Sequence, residues 1–229
     1  MADIIMRAKP VVDEMARDIE TRIAQLAEKG ITPKLAILRV GAREDDLSYE
    51  RTALRRAEAL GIDAQVFALP SHASERQVLN QVEAINDDDS IHGCLMFRPL
   101  PKHINEQGVC DALDGRKDID GISSKRMSDI YSDIPCFCPA TAEACIRLLR
   151  HYDISLSGKS VVVVGRSLVI GKPVSMMLLR RNATVTMCHS HTKNLPEVMR
   201  AADVVICATG RAKAYGAECF APGQTVIDV

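Results

Sequence analysis

Tryptophan is absent from this chain of 229 residues, and tyrosine and phenylalanine together make up only 3% of it. So few aromatics, with no basic run among them, leave little to stack on exposed bases, and a net charge of −1 offers no cationic face to a phosphate backbone or an acidic bilayer. Nucleic acid and membrane are therefore not expected partners. No stretch approaches the roughly 18 consecutive apolar residues of a membrane span, and the opening Met1-Ala-Asp-Ile-Ile-Met-Arg-Ala-Lys-Pro10 lacks an apolar signal core, so a cytoplasmic location is expected. Cysteine is present 8 times, but never as C-x-x-C. Cys94, Cys188 and Cys207 fall in apolar, strand-like segments where a thiol is a small core residue. Cys136 and Cys138, the closest pair, would point to opposite faces of an extended segment and make a poor chelate. Reduced, structural cysteines and no metal site are expected. Internal repeats and low-complexity tracts are also missing, and 47% hydrophobic with 26% charged residues is a globular composition with room for one large domain or two small ones.

What is there is concentrated in Val161-Val-Val-Val-Gly-Arg-Ser-Leu-Val-Ile-Gly-Lys-Pro173, an apolar run that breaks into a glycine-bounded loop and then a proline-started helix. The valines read as a strand buried on both faces. Gly165 and Gly171 let the backbone turn sharply and approach an anion, and Pro173 suits the first helical turn, whose free N–H groups attract negative charge. The loop is Gly165-x-Ser167-x-x-x-Gly171, not the familiar G-x-G-x-x-G, so its context has to carry the reading. Further apolar strands follow at Ala183–Cys188, Asp203–Cys207 and Thr225–Val229, with helical stretches between the earlier ones. Together they read as a doubly wound α/β unit that binds a dinucleotide.

Charge discriminates between dinucleotides. An NAD site usually places a carboxylate at the end of the second strand for the ribose 2′-hydroxyl, and here that strand runs into Cys188-His-Ser-His-Thr-Lys193 without an acid. Arg166, with the Ser190 hydroxyl and Lys193 or His191 nearby, suits a 2′-phosphate instead, so NADP is expected over NAD.

The first half alternates in the same way. Pro10 opens an amphipathic stretch ending at Gly30, Lys34–Val40 reads as a strand, Asp46–Leu60 as a helix, and Ala64–Leu69 as a strand. Ser74-Glu-Arg-Gln77 is a capping box that opens a helix to about Asn86, and Ile91–Phe97 is a strand ended by Pro99 and Pro101. The boundary is placed in Ile134–Pro139, before a linking helix at Thr141–His151, giving an amino-terminal α/β domain over 1–139 and a dinucleotide-binding domain over 140–229. Two lobes with a cleft between them are expected.

Several motifs now stand in order. Gly41 is followed eight places on by Tyr49, then come Pro99-Leu-Pro101, Lys117-Asp-Ile-Asp-Gly121, Val164-Gly-Arg-Ser167, Ile170-Gly-Lys-Pro173, Asn182-Ala-Thr-Val-Thr186 and Ala208-Thr-Gly210. In identity and spacing the chain resembles the bifunctional methylenetetrahydrofolate dehydrogenase/methenyltetrahydrofolate cyclohydrolase family over essentially its whole length. The resemblance implies a two-lobed α/β fold with an amino-terminal catalytic lobe and a Rossmann-like NADP-binding lobe. It implies hydride transfer from 5,10-methylenetetrahydrofolate, followed in most members by hydrolysis of the methenyl product to 10-formyltetrahydrofolate, and a homodimer formed through the nucleotide lobe. Tyr49 and Asp120 are the implied catalytic and substrate-binding residues, with Phe97 lining the folate pocket; Gly165, Arg166, Ser167, Gly171 and Ser190 are the cofactor set.

The departures are as specific as the match. Where the family pattern places a lysine four residues after the tyrosine this chain has Ala53, and where it places a glutamine before Pro-Leu-Pro this chain has Phe97-Arg98. That lysine is the family's principal group for hydrolysis, and loss of a positioned acid–base group costs about 10²–10⁴-fold, so hydrolysis is expected to be weak or lost. Arg55 cannot replace it, because a guanidinium stays protonated. Hydride transfer asks mainly for alignment and is expected to survive. The segment Ile122–Ser128 and the run Pro139-Ala-Thr-Ala142 also differ from the family, and the chain stops at Val229 where members continue, which is expected to expose apolar surface. Two other readings stay open: a non-catalytic nucleotide- or folate-binding paralogue, and a dehydrogenase of another small substrate favoured by the apolar Phe97.

Overall fold

The computed structural model describes residues 5–229. The first four residues, part of the opening stretch read above for a signal core, lie outside the described residues. By its internal contacts the chain divides into two units, Arg7–Arg126 and Met127–Val229, with Met6 belonging to the second.

In the first unit a three-stranded parallel sheet of order β2-β1-β3 is built from β1 (Lys34–Val40), β2 (Asp63–Leu69) and β3 (Gly93–Met96). The central strand carries the burial. Ala36, Ile37 and Leu38 are solvent-free, and two such aliphatic side chains contribute about 2–3 kcal/mol each. No residue of the edge strand β2 is buried; exposed and half-buried positions mix along it. Four helices complete the unit: α1 (Ala8–Ala27), α2 (Glu44–Ala59), α3 (Glu75–Asp87) and α4 (Glu106–Ala112); α5 (Ser124–Tyr131) spans the division. Val78, Val82 and Ile85 of α3 pack with Leu38, Met96 and Val109 in one core.

Helix α3 begins as its sequence predicts. The Ser74 hydroxyl accepts from the Gln77 amide while the Gln77 side chain accepts from the Ser74 amide. Its other end is closed from a distance: the buried Lys117 ammonium donates to the carbonyls of Ile85, Asn86 and Asp88 at 2.7, 2.8 and 2.7 Å, satisfying acceptors that a helix end leaves over.

The second unit holds a four-stranded parallel sheet of order β5-β4-β6-β7, from β4 (Ser160–Val164), β5 (Thr184–Cys188), β6 (Val204–Cys207) and β7 (Thr225–Asp228). Val161–Val164 and all of β6 are buried, so the uninterrupted apolar runs mark the inner strands, whereas β5 alternates because it is an edge. Helices α6 (Ala140–His151) and α7 (Gly171–Leu179) pack one face of the sheet, where Ile146, Leu149, Val174 and Leu178 meet Val161 and Val163. Met199 of α8 (Leu195–Arg200) packs with Val162, Val164 and Val205 in a separate cluster.

The α/β reading therefore holds in both units, with parallel sheets in each, and element bounds agree to within a few residues. Helices α4 and α5 were not anticipated. Among the described residues no helix is long and apolar enough to cross a membrane.

Candidate active site

In the second unit the chain leaves β4 for β5 on one side and returns to pair β6 on the other, so the strand order reverses at β4, and ligands of open α/β sheets bind at such a point beyond the carboxyl ends of the strands. The loop there is Gly165–Ile170. The Gly165 amide donates to the Cys188 carbonyl at 2.9 Å, and Ala208 donates to Val164 at 2.8 Å, which draws the three strand ends together.

Both glycines are required by that closeness. Gly165 sits at φ +135°, and a Cβ on it would lie 2.3 Å from the Ala208 carbonyl oxygen; a Cβ on Gly171 would lie 2.2 Å from the Gly165 carbonyl oxygen. No side chain fits at either point, so the loop folds back tightly on the start of α7.

The loop's amides divide into two sets. Ser167 holds the loop from inside: its hydroxyl accepts from Ile170 at 3.1 Å and Gly171 at 3.4 Å, and its carbonyl accepts from Lys172 at 3.0 Å. Among the described residues, the N–H groups of Arg166, Ser167, Leu168 and Val169 make no hydrogen bond, and these residues are exposed. Four consecutive donors beside a helix N-terminus form an anion cradle, and an anion on them would satisfy what the chain leaves open. The cradle fits a pyrophosphate. Of the sequence-derived set, Gly165 and Gly171 shape the loop, and Ser167 offers its amide while its hydroxyl braces the turn.

Arg166 and Ser190 follow the carboxyl ends of neighbouring strands: β4 pairs β5 with Val164 opposite Cys188, and each residue comes two places later in sequence. Both are exposed. Ser190 lies in a turn closed by the Thr192 amide donating to the His189 carbonyl and by the His189 amide donating to the Thr192 hydroxyl, both at 2.8 Å. His191 is folded into it through its amide, which donates to His189 Nδ1 at 3.2 Å, and Lys193 follows it, exposed. No carboxylate enters this turn.

In the first unit Phe97 directly follows β3, Tyr49 lies on α2 beyond the end of β1, and Asp120 lies two residues beyond an isolated bridge to β3. Phe97 is half-buried, and its amide donates to the Leu38 carbonyl at 2.9 Å. Asp120 belongs to a segment that joins the sheet through a parallel bridge between Asp118 and Cys94. The buried Asp118 carboxylate accepts from the Ile122 and Ser123 amides at 3.0 Å each, shaping the loop that presents the half-buried Asp120. Tyr49 projects from the second turn of α2 and is 71% exposed. Ala53 is one turn further along the same helix, half-buried, and Arg55 beyond it donates its Nε–H to the Arg51 carbonyl.

Two features escaped the sequence reading. Lys117 and Asp118, noted only as part of a motif, are structural: one closes α3 and the other folds the Asp120 loop. Arg39 and Glu50, not singled out at all, form a shielded ion pair at 2.6 Å between β1 and α2. Only a hydrophilic residue in an otherwise apolar strand could have signalled it.

Six of the eight cysteines are buried and all are free. Burial pushes the Cys94 thiol up to about 12 and those of Cys110, Cys145 and Cys207 up to about 11, and Cys138 is likewise raised to about 11 by burial and its neighbour Cys136. Among the described residues no three His, Cys, Asp or Glu side chains are grouped to hold a metal.

Two family models match the chain: the catalytic domain of tetrahydrofolate dehydrogenase/cyclohydrolase over residues 6–120 and the NAD(P)-binding domain of the same enzymes over 139–229. The bifunctional protein FolD of Carboxydothermus hydrogenoformans is 45% identical over 225 residues, covering 98% of this chain and 78% of that protein. The structure of a bifunctional methylenetetrahydrofolate dehydrogenase/cyclohydrolase from Campylobacter jejuni superposes with a TM-score of 0.97 at 30% identity, over 100% of this chain and 81% of that one. A Trypanosoma brucei enzyme of the same description, complexed with NADP cofactor and inhibitor, gives 0.91 at 28% identity, over 98% and 77%.

Proposed function

This chain belongs to the tetrahydrofolate dehydrogenase/cyclohydrolase family, and from that premise we propose that it oxidises 5,10-methylenetetrahydrofolate to the methenyl form with NADP, while its cyclohydrolase step is weak or lost. The observation that carries the first half is the set of four unbonded amides at Arg166–Val169, beside two glycines that admit no side chain. NADP in that cradle supplies the carbon that accepts hydride.

The chain's own part is binding and orientation. Amides 166–169 hold the pyrophosphate, and the Arg166 guanidinium with the Ser190 hydroxyl meets the 2′-phosphate at the ends of β4 and β5. Absence of a carboxylate from the β5 turn supports NADP over NAD. On the folate side Asp120 accepts from the pterin's amide and amino edge, Tyr49 packs on or hydrogen-bonds the ring system, and Phe97 covers an apolar part of it. Residues 1–139 are assigned to folate and 140–229 to the nucleotide.

Ala53 carries the second half. Hydride loss leaves positive charge delocalised over the one-carbon bridge, and a methyl group at 53 neither opposes that charge nor handles a proton. Hydrolysis needs water added to the bridge carbon and a proton removed, and no side chain at 53 does this. The resemblance also carries over a homodimer through the nucleotide lobe.

The direct test is steady-state reduction of NADP by methylenetetrahydrofolate. Turnover is expected. Cofactor binding without turnover would favour a non-catalytic paralogue, and activity confined to a non-folate alcohol or amine would favour another dehydrogenase.

A further inference from the structure

Helix α2 has little to anchor it. Its less exposed positions are Asp46, Leu47, Glu50, Ala53, Leu54 and Ala57, so two carboxylates and two alanines occupy much of the face turned to the protein. Apolar packing of that kind is weak and non-directional, and would let the helix shift or rotate slightly at small cost. Directional bonds take its place. Arg39, which interrupts the apolar β1, gives its Nε–H to Glu50 Oε2 at 2.6 Å and an Nη1–H to the Gly41 carbonyl at 2.5 Å. Its side chain is 16% exposed and that of Glu50 14%, so solvent screens the pair little. Gly41 is itself fixed, at φ +89° with its amide on the Leu69 carbonyl at 2.8 Å. One turn earlier the Arg43 guanidinium forks onto the buried Asp46 carboxylate at 2.8 and 2.7 Å. Strand end, loop and the first two turns of α2 are thus joined through two arginine–carboxylate pairs.

Tyr49 adjoins Glu50 in that second turn. Being 71% exposed, it has little packing of its own to hold it, and its phenol stands where the backbone of its turn puts it. We propose that the Arg39–Glu50 pair is a positioning device for Tyr49 in the folate step, an inference that rests on the function proposed above. Neither side chain of the pair is a catalytic residue; both act through the helix turn they fix. A shielded ion pair adds little net stability against an apolar substitute, so its value here is geometric. The predicted signature is a folate-specific defect when the pair is weakened.

Steady-state kinetics and fluorine NMR on the full chain test this together. Glu50→Gln, which keeps the shape but drops the charge, is expected to raise KM for methylenetetrahydrofolate about tenfold and lower kcat severalfold, with KM for NADP held within about twofold. Arg39→Lys retains a cation but loses the fork, and should give a smaller defect of the same kind; it is the variant to read should Glu50→Gln unfold. With 3-fluorotyrosine in place of the 4 tyrosines, the Tyr49 signal is identified by its loss in Tyr49→Phe. It should shift or broaden in Glu50→Gln while those of Tyr131, Tyr152 and Tyr215 stay. An unmoved Tyr49 signal, or equal effects on both KM values, overturns the inference. A wild-type chain silent in hydride transfer removes the functional reading instead, and the fluorine signal still decides whether the pair places Tyr49.

Discussion

The proposed preference for NADP depends on one side chain, Arg166. It is exposed beyond the end of β4, and the sequence after β5, Cys188-His-Ser-His-Thr-Lys193, contains no carboxylate, so a 2′-phosphate would give its guanidinium an ionic partner. A hydrogen bond to a charged group is worth about 1.5–3 kcal/mol, so Arg166→Ala should raise KM for NADP by roughly 10–100-fold and that for NAD much less. Parallel titration of both cofactors checks this, and equal effects would remove the 2′-phosphate assignment. Ala53→Lys poses the converse question. A lysine there stands three residues from Glu50, close enough on a helix to pair with it, though Glu50 is already held by Arg39. Partial recovery of methenyl hydrolysis is therefore expected, read from the decay of methenyl absorbance.

Elements show why these sites exist and how far a sequence reveals them. The β4 strand, its glycine loop and α7 could be read directly, because the valine run and the glycine spacing are local consequences of burial and close approach. Gly171→Ala should accordingly abolish tight NADP binding while leaving folate binding intact, since its Cβ would meet the Gly165 carbonyl at 2.2 Å. Isothermal titration with each ligand separates the two. The capping box of α3 was equally local. Its other end was not, because Lys117 reaches it from about 30 residues away in sequence, and nothing in Lys117-Asp-Ile-Asp-Gly121 says which carbonyls an ammonium will meet. Lys117→Met leaves three helix-end acceptors without their donor and should cost about 2–4 kcal/mol, measured by urea denaturation. Helices α4 and α5 were missed for a related reason: at 7 and 8 residues they are too short for helical periodicity to show.

At the scale of the whole molecule, carboxylates held by neighbours add a small, solvent-screened contribution to stability against acid. The Arg116 guanidinium lowers the Asp114 pKa, the Ser160 amide and then Lys159 lower that of Asp203, and the Ser90 hydroxyl and amide lower that of Asp88. Each folded value lies below the unfolded one, so the stability they add is complete above about pH 4 and is lost as pH falls through the lower folded values. The melting temperature should hold from neutral to mildly acid pH and fall below about pH 4, with a shallower fall in Asp203→Asn. A melting temperature that rises on acidification would contradict this.

Two α/β units with parallel sheets were legible from pattern and resemblance. The Arg39–Glu50 pair was not, since it depends on which face of α2 meets β1.

In the proposed function one of two linked reactions survives and the other has faded. Hydride transfer from methylenetetrahydrofolate to NADP and hydrolysis of the methenyl product, followed separately on one purified preparation, test it most directly. Steady NADP reduction is expected, with the methenyl product accumulating because it hydrolyses at close to its uncatalysed rate. Rapid hydrolysis alongside hydride transfer, or hydrolysis without it, would contradict it.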